Sequence, residues 1–193
     1  MIKKVALFLV DGFEEIEALA PVDILRRAGI IVDTISVTST NSIISSRKIT
    51  VLSDKLIEDV NFDDYEMIVL PGGPGTDNYY SSELLLEKLK EFSITKYIAA
   101  ICAAPSVLSS LGILVGKKAI CFPAYEEKIV EDGAILTLSN VVTDENITTS
   151  RGAGTAIDFG LEIIKVLLGK EKSEDIKNIC IKKHKILCFF VLF

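Results

Sequence analysis

The chain has 193 residues, of which 49% are hydrophobic, and a formal net charge of −6 at pH 7. Its length and apolar content suffice for the core of one domain, and its charge excludes nucleic acid and anionic lipid as principal partners, because no basic footprint is present. Its four cysteines form neither a zinc-type pair nor a dense disulfide pattern, so we expect a reducing, cytoplasmic setting without metal or organic cofactor.

The N-terminal part of the chain alternates strand and helix patterns. Residues 5–10 form an apolar run that predicts a buried strand, and apolar residues at helical spacing follow until Gly29 ends that helix. The β-branched run 31–37 predicts a second strand. This order indicates a right-handed crossover in a parallel sheet, and residues 41–54 then predict a polar hairpin or an irregular excursion.

A glycine-rich segment follows the next predicted strand, residues 66–70. Gly72 and Gly73 lie in the sequence Pro-Gly-Gly-Pro-Gly-Thr at the carboxyl end of that strand, where open α/β sheets bind ligands. Their backbone N–H groups could face an oxyanion. The alternatives are an ordinary turn and a phosphate loop, and the second is poorly matched because no Gly-Lys-Ser/Thr follows.

Cys102 follows an apolar run, residues 96–101, that predicts a strand buried on both faces. The small residues Ala103 and Ala104 permit a sharp turn, and Pro105 suits the first position of a helix. A thiol at the start of a helix lies near unpaired N–H groups that favour the thiolate. This predicts a reactive cysteine, and the alternative is a buried cysteine that acts as a small hydrophobe.

The remaining sequence completes one predicted domain, residues 1–180. We predict a helix at 82–92, short strands at 117–121, 134–138, 140–143 and 147–149, and a long amphipathic helix at 152–168. The apolar tail, residues 181–193, is about half as long as a membrane span, so we expect no membrane partner. The tail either packs over the domain or is an accidental or disordered extension, which we favour because termini are often untethered.

Several separated motifs resemble the ThiJ/PfpI superfamily, in particular the branch of the parkinsonism-associated protein deglycase, DJ-one. The resemblance extends from about residue 3 to about residue 176 and includes the segments 14–17, 21–29, 46–47, 70–73, 99–103 and 149–152. It implies a flavodoxin-like α/β fold, a three-layer sandwich with a mostly parallel central sheet and the cysteine at a nucleophile elbow. It also implies a homodimer.

The resemblance assigns roles to individual residues. Cys102 matches the nucleophile, and Glu17 matches the carboxyl group that hydrogen-bonds it. Gly72 and Gly73 match the loop whose amides, together with that of Ala103, form the oxyanion site. Without the resemblance, Glu17 is simply an acid in the first turn of a helix, where it stabilises by about 0.3 to 1 kcal/mol.

The resemblance also covers three charged residues, and the chain departs from the family at two positions where relatives carry histidine. Arg27 and Arg47 match basic residues at the pocket entrance or dimer contact of relatives, and Asp23 matches an acid that the partner subunit places near the pocket. Ala103 stands where protease-like and amidase-like members carry histidine, and Phe122 stands where the DJ-one branch has a pocket histidine. The only histidine, in the tail at position 184, lies outside the matched region, so peptidase activity is disfavoured.

The resemblance and these departures lead to three hypotheses of function. We favour a cofactor-free enzyme of the glyoxalase or deglycase type, in which Cys102 attacks a small aldehyde such as methylglyoxal, or a glycated substrate, and Glu17 transfers protons. The second hypothesis is an oxidative-stress sensor or redox-regulated chaperone, in which Cys102 is oxidised to the sulfinate. The third is a non-catalytic dimerising scaffold, in which the loss of Cys102 has no effect.

Overall fold

The computed structural model describes residues 2–180. The strands in this part of the chain are β1 (Lys4–Leu9), β2 (Ile31–Ser36), β3 (Ser42–Ile44), β4 (Thr50–Leu52), β5 (Lys55–Leu56), β6 (Met67–Leu70), β7 (Tyr97–Ile101), β8 (Lys118–Ala119), β9 (Ile135–Leu136), β10 (Val141–Asp144) and β11 (Ile147–Ser150). The α-helices are α1 (Glu15–Arg27), α2 (Glu83–Thr95), α3 (Pro105–Ser110), α4 (Glu126–Glu131), α5 (Ala156–Leu168) and α6 (Lys170–Cys180).

Seven strands form the central sheet, in the order β10-β11-β7-β6-β1-β2-β5. All neighbours pair in parallel except β10, which is antiparallel to β11. Because β1, β6 and β7 are adjacent and parallel, the segments that follow them meet at one edge of the sheet. Those segments contain the glutamate cluster, the glycine-rich loop and Cys102, so the sheet brings together three motifs that are distant in sequence.

The sheet is covered by helices on both faces, and the alternation of side chains along β1 shows this directly. Ala6 and Phe8 belong to the core beneath α2, α3 and α4, whereas Leu7 and Leu9 belong to the core beneath α1, α5 and α6. Successive residues of a strand point to opposite faces, so a continuous apolar run is required when both faces are buried. The predicted three-layer α/β sandwich is confirmed.

The predicted elements agree with the structure to within a few residues, except for the start of the long helix and the presence of two further helices. The hairpin expected in 41–54 is formed by β3 and β4. The long helix expected from residue 152 starts at Ala156, after a 3₁₀ turn at Ala153–Thr155. Helices α4 and α6 were not predicted, because α4 has six residues and α6 buries only Ser173 and Ile176.

The predictions for the tail, residues 181–193, and for its histidine lie outside the described residues. Between residues 2 and 180, no helix is both long enough and apolar enough to cross a membrane.

Candidate active site

Cys102 occupies a sharp turn between β7 and α3. Its φ is 66°, in the left-handed region, which costs an L-residue roughly 1 to 2 kcal/mol. Two hydrogen bonds hold its backbone in place, because the Cys102 N–H donates to the Ser150 carbonyl at 2.9 Å and the Phe122 N–H donates to the Cys102 carbonyl at 2.7 Å. Pro105 begins α3, as predicted. The side chain is half-buried and the thiol is free.

The glycine-rich loop comes into close contact with this turn. A Cβ on Gly72 would lie 2.8 Å from the backbone nitrogen of Ala103 and from Cβ of Cys102. Gly73 has a φ of 113°, and a Cβ there would lie 2.6 Å from the backbone nitrogen of Glu14. Both positions therefore require glycine. The amides of Gly73 and Ala103 lie near the Cys102 sulfur.

Glu17 lies beneath Cys102, in the first turn of α1, and its side chain is 1% exposed. Its carboxylate accepts a hydrogen bond of 2.9 Å from the Gly72 N–H. The carboxylate and the thiol lie beside each other, because a Cβ on Gly152 would lie 4.0 Å from Glu17 Oε1 and 3.9 Å from Cys102 Sγ. The helix starts at this point because the Glu14 side chain, at the N-cap, accepts from the Glu17 N–H at 2.9 Å. An acid that only complemented the helix dipole would not need to be buried against a thiol.

The proton affinity of Glu17 follows from this burial. The pKa of Glu17 is raised to about 7, mainly by burial and to a smaller extent by the nearby charge of Glu14. Hydrogen bonds from the Cys102 thiol and from the amides of Gly72 and Ala153 oppose this rise without cancelling it. A group with a pKa near 7 can both accept and return a proton at neutral pH.

The pKa of the Cys102 thiol is affected by more than the start of the helix. Burial raises the pKa of the Cys102 thiol above its usual range, and the charge and hydrogen bond of Glu17 raise it further. The amides of Ala103 and Gly73 lower it by less. Ionisation of the sulfur therefore depends on the charge of Glu17 as well as on the helix end. The two groups titrate as a coupled pair.

A cavity of about 450 Å³ opens above the sulfur. Its polar side chains are those of Glu14, Glu17, Arg47 and Cys102. Its other lining residues are mostly small or apolar and are Gly73, Pro74, Ala103, Phe122, Ala124, Tyr125 and Ala153. Within residues 2–180, no group of three or more histidine, cysteine, aspartate or glutamate side chains could hold a metal ion.

The three charged residues predicted near the pocket are separated by the fold. Arg47 is exposed at the rim of the cavity. Arg27 and Asp23 lie on the outer side of α1, where the Arg27 Nε donates to Asp23 Oδ2 at 2.7 Å. They line a different hollow, together with Cys180. Their placement at a dimer contact stays a prediction.

Sequence reasoning did not single out Glu15, which fixes the segment carrying Arg47. Its carboxylate is 7% exposed and accepts hydrogen bonds from Ser45 Oγ at 2.5 Å, Ser46 Oγ at 3.1 Å and the Arg47 N–H at 2.7 Å. Burial opposes its ionisation, yet these hydrogen bonds keep its pKa below the ordinary value. The only sequence signal was its membership of the cluster at 14–17.

Comparison with known proteins identifies the family of the chain. Residues 3–166 match the model of the DJ-1/PfpI family. The Drosophila melanogaster protein dj-1beta is 36% identical over 178 residues, which cover 91% of this chain and 95% of that protein. The Arabidopsis thaliana protein DJ-1 homolog B is 38% identical over 85% of this chain, and the match covers 38% of that longer protein.

Solved structures support the same relationship. The structure of oxidized Toxoplasma gondii DJ-1 superposes with a TM-score of 0.87 at 38% identity, covering 92% of this chain and 97% of that one. The predicted flavodoxin-like architecture is therefore confirmed. With the family model matching most of the chain and relatives above 30% identity over most of their length, the chain belongs to the DJ-1/PfpI family.

Proposed function

We propose that the protein is a cofactor-free enzyme that converts small 2-oxoaldehydes, such as methylglyoxal, into 2-hydroxy acids. The observation that carries this proposal is the placement of the buried Glu17 carboxyl and the Cys102 thiol side by side in the lining of one open cavity. It combines a nucleophile with a proton acceptor whose pKa is near 7. This reaction needs one nucleophile and one acid–base group, and no external oxidant.

The first step is the addition of sulfur to the aldehyde carbon. Glu17 accepts the thiol proton as the C–S bond forms, and the aldehyde oxygen becomes an alkoxide. The amides of Gly73 and Ala103 lie near the sulfur and can donate to the developing charge. Return of the proton from Glu17 to this oxygen gives a neutral hemithioacetal on Cys102.

The second step moves a hydrogen between neighbouring carbons. Glu17 removes the proton from the carbon bonded to sulfur, and the ketone oxygen takes up a proton, which gives an enediol. The hydroxyl next to sulfur then loses its proton and becomes the thioester carbonyl, while Glu17 returns its proton to the former ketone carbon, so that a thioester of the 2-hydroxy acid remains. Water then cleaves the thioester, releasing the acid and restoring the Cys102 thiol. Overall, one aldehyde and one water give one hydroxy acid. The aldehyde carbon is oxidised and the ketone carbon is reduced.

The same nucleophile can attack a hemiaminal formed between methylglyoxal and an amine, which would be observed as deglycation. Consumption of the free aldehyde shifts the hemiaminal equilibrium and produces the same apparent activity. The two are separated by comparing the rate of amine release with the rate of spontaneous hemiaminal dissociation. Release no faster than dissociation identifies the free aldehyde as the substrate.

The direct test is turnover of methylglyoxal to lactate by the purified protein. We expect the activity to be lost in Cys102→Ala and reduced by at least about 100-fold in Glu17→Gln, because a positioned acid–base group typically contributes this factor or more. Arg27→Ala, on the outer side of α1, is the matched control for a charge change away from the sulfur. Full activity of Cys102→Ala would disprove the proposal.

A second candidate function is oxidation sensing, favoured by the same buried carboxyl. A protonated Glu17 and the amides around Cys102 can hydrogen-bond the oxygens of a sulfinate. The solved Toxoplasma relative is described as oxidized. Peroxide-dependent sulfinate confined to Cys102, in a protein without aldehyde turnover, would favour the sensor.

A further inference from the structure

The cavity above Cys102 is larger than methylglyoxal requires. Its volume of about 450 Å³ lies in the range of roughly 300 to 1,000 Å³ that is typical of sites for drug-sized ligands. A three-carbon aldehyde bonded to the sulfur would occupy only the base and leave the upper part to water. The residues of the upper part therefore contribute to binding only when the substrate carries a larger group.

We call the part of the cavity lined by Pro74, Phe122 and Tyr125 its upper part, and these side chains are largely apolar. Phe122 is 45% exposed, which leaves a large aromatic surface open beside the nucleophile. Tyr125 lies three residues further along and contributes a second aromatic ring to the same lining, and Pro74 lies on the glycine-rich loop. Binding an apolar group here would remove this surface from water.

The segment that carries the two rings is fixed to the nucleophile turn. The Phe122 N–H donates to the Cys102 carbonyl at 2.7 Å, and the Tyr125 N–H donates to the Phe122 carbonyl at 2.9 Å. The backbone that carries the rings is therefore held at a fixed distance from the Cys102 turn. Such preorganisation lowers the entropic cost of binding.

The charges at the rim do not favour a charged substituent. Glu14 and Arg47 both line the cavity and carry opposite charges. An anionic group would be attracted by one and repelled by the other, and a cationic group likewise. Apolar contact is thus the property that distinguishes substrates in the upper part of the cavity.

We propose that the site prefers 2-oxoaldehydes whose ketone carbon carries an aromatic group, and that Phe122 determines this preference. The preference presupposes the proposed function, since the aldehyde end must react with Cys102. The aromatic group would then lie beside Phe122 and Tyr125, where aromatic rings favour offset or edge-to-face contact. The bond changes are those of the smaller substrate, so phenylglyoxal and water give mandelate.

The test compares kcat/KM for phenylglyoxal and methylglyoxal, measured by formation of mandelate and lactate. We expect the wild-type protein to favour phenylglyoxal, and Phe122→Ala to reduce the ratio by about 2- to 12-fold, the factor that corresponds to one aromatic contact. Leu138→Ala, at an apolar side chain that is 90% exposed and outside the cavity lining, is the matched control and should leave the ratio unchanged. Phe122→Leu should retain part of the preference.

Two results would overturn the inference while leaving the proposed function intact. One is turnover of methylglyoxal with equal or lower kcat/KM for phenylglyoxal. The other is a ratio that Phe122→Ala does not change.

A binding measurement on Cys102→Ala separates the inference from turnover altogether. Acetophenone and acetone serve as unreactive probes of the two substituents, and their dissociation constants are obtained by ligand-observed NMR. We expect tighter binding of acetophenone, weakened by about 2- to 12-fold when Phe122→Ala is added. Equal binding of the two ketones would overturn the preference even if neither aldehyde were a substrate.

Discussion

We expect Glu17→Gln to become more stable than the wild-type protein, by a margin that grows as the pH rises. The pKa of Glu17 is raised from 4.5 to about 7 by burial, so between these values the folded state binds this proton more tightly than the unfolded state. Wild-type stability therefore falls as pH rises through this window, by at most about 1.4 kcal/mol per pH unit. Glutamine can make the same contacts as the protonated acid but cannot ionise.

The size of the effect follows from the same two pKa values. From about pH 5.5 to about pH 8.5, the free energy of unfolding of Glu17→Gln relative to wild type should increase by about 2 kcal/mol. Most of this change should occur below about pH 7.5, because above that pH Glu17 is largely ionised in both the folded and the unfolded state. Urea unfolding followed by circular dichroism at fixed protein concentration measures it, with m-values used to check that the unfolding transition is unchanged.

Glu15→Gln is the matched control, since it removes a buried carboxylate from the same helix. The pKa of Glu15 lies below its ordinary value because of hydrogen bonds from residues 45–47. The ionised form of Glu15 therefore contributes fully to stability above about pH 5.5. The free energy of unfolding of Glu15→Gln should be lower than that of wild type by about 1 to 3 kcal/mol, and this difference should change little with pH. A pH-independent difference for Glu17→Gln as well would refute the raised pKa and the coupled pair built on it.

The remaining predictions concern the rate profile and the backbone of the site. We expect kcat/KM for methylglyoxal to rise up to about pH 7 and then level off, because Glu17 must be ionised to accept the thiol proton; a flat profile would contradict this role. Gly72→Ala should lower stability to urea by about 1 to 3 kcal/mol through steric overlap, whereas Gly154→Ala, in open space, should change little. Cys102→Gly should be more stable than Cys102→Ala by about 0.5 to 1 kcal/mol, because glycine adopts a φ of 66° without strain; equal stability would show that the turn is unstrained.

The sheet could be predicted because its physical requirements act locally. Strands β1, β6 and β7 are buried on both faces, so each must be apolar at every position, and such runs are visible in the sequence. The nucleophile turn was also predictable, since Pro105 indicates a helix start directly after a strand. Helix α6 was not, because most of its residues are polar and only two are buried.

The roles of the acids could not be separated from sequence alone. Glu15 and Glu17 both lie in the first turn of one helix, and each is buried against a different distant segment. Glu15 contacts Ser45, 30 residues away, and Glu17 contacts Gly72, 55 residues away. These contacts depend on how the sheet and the hairpin close around the helix, and local patterns carry no information on that.

The protonation of the thiol also depended on tertiary structure. The sequence placed Cys102 at a helix start, where the amides favour the thiolate. Burial and the neighbouring carboxyl act in the opposite direction and dominate. Neither effect can be evaluated without the surrounding fold, so the ionisation expected from the helix start stays a prediction.

The backbone hydrogen bond between residues 122 and 102 has an evolutionary consequence. The anchor is a main-chain N–H, which every amino acid except proline supplies. A single codon change at position 122 can therefore exchange the ring for another side chain while the segment stays attached beside the sulfur. Natural variation at this position could diversify the chemistry of descendants of this gene without first requiring compensating mutations in the sheet.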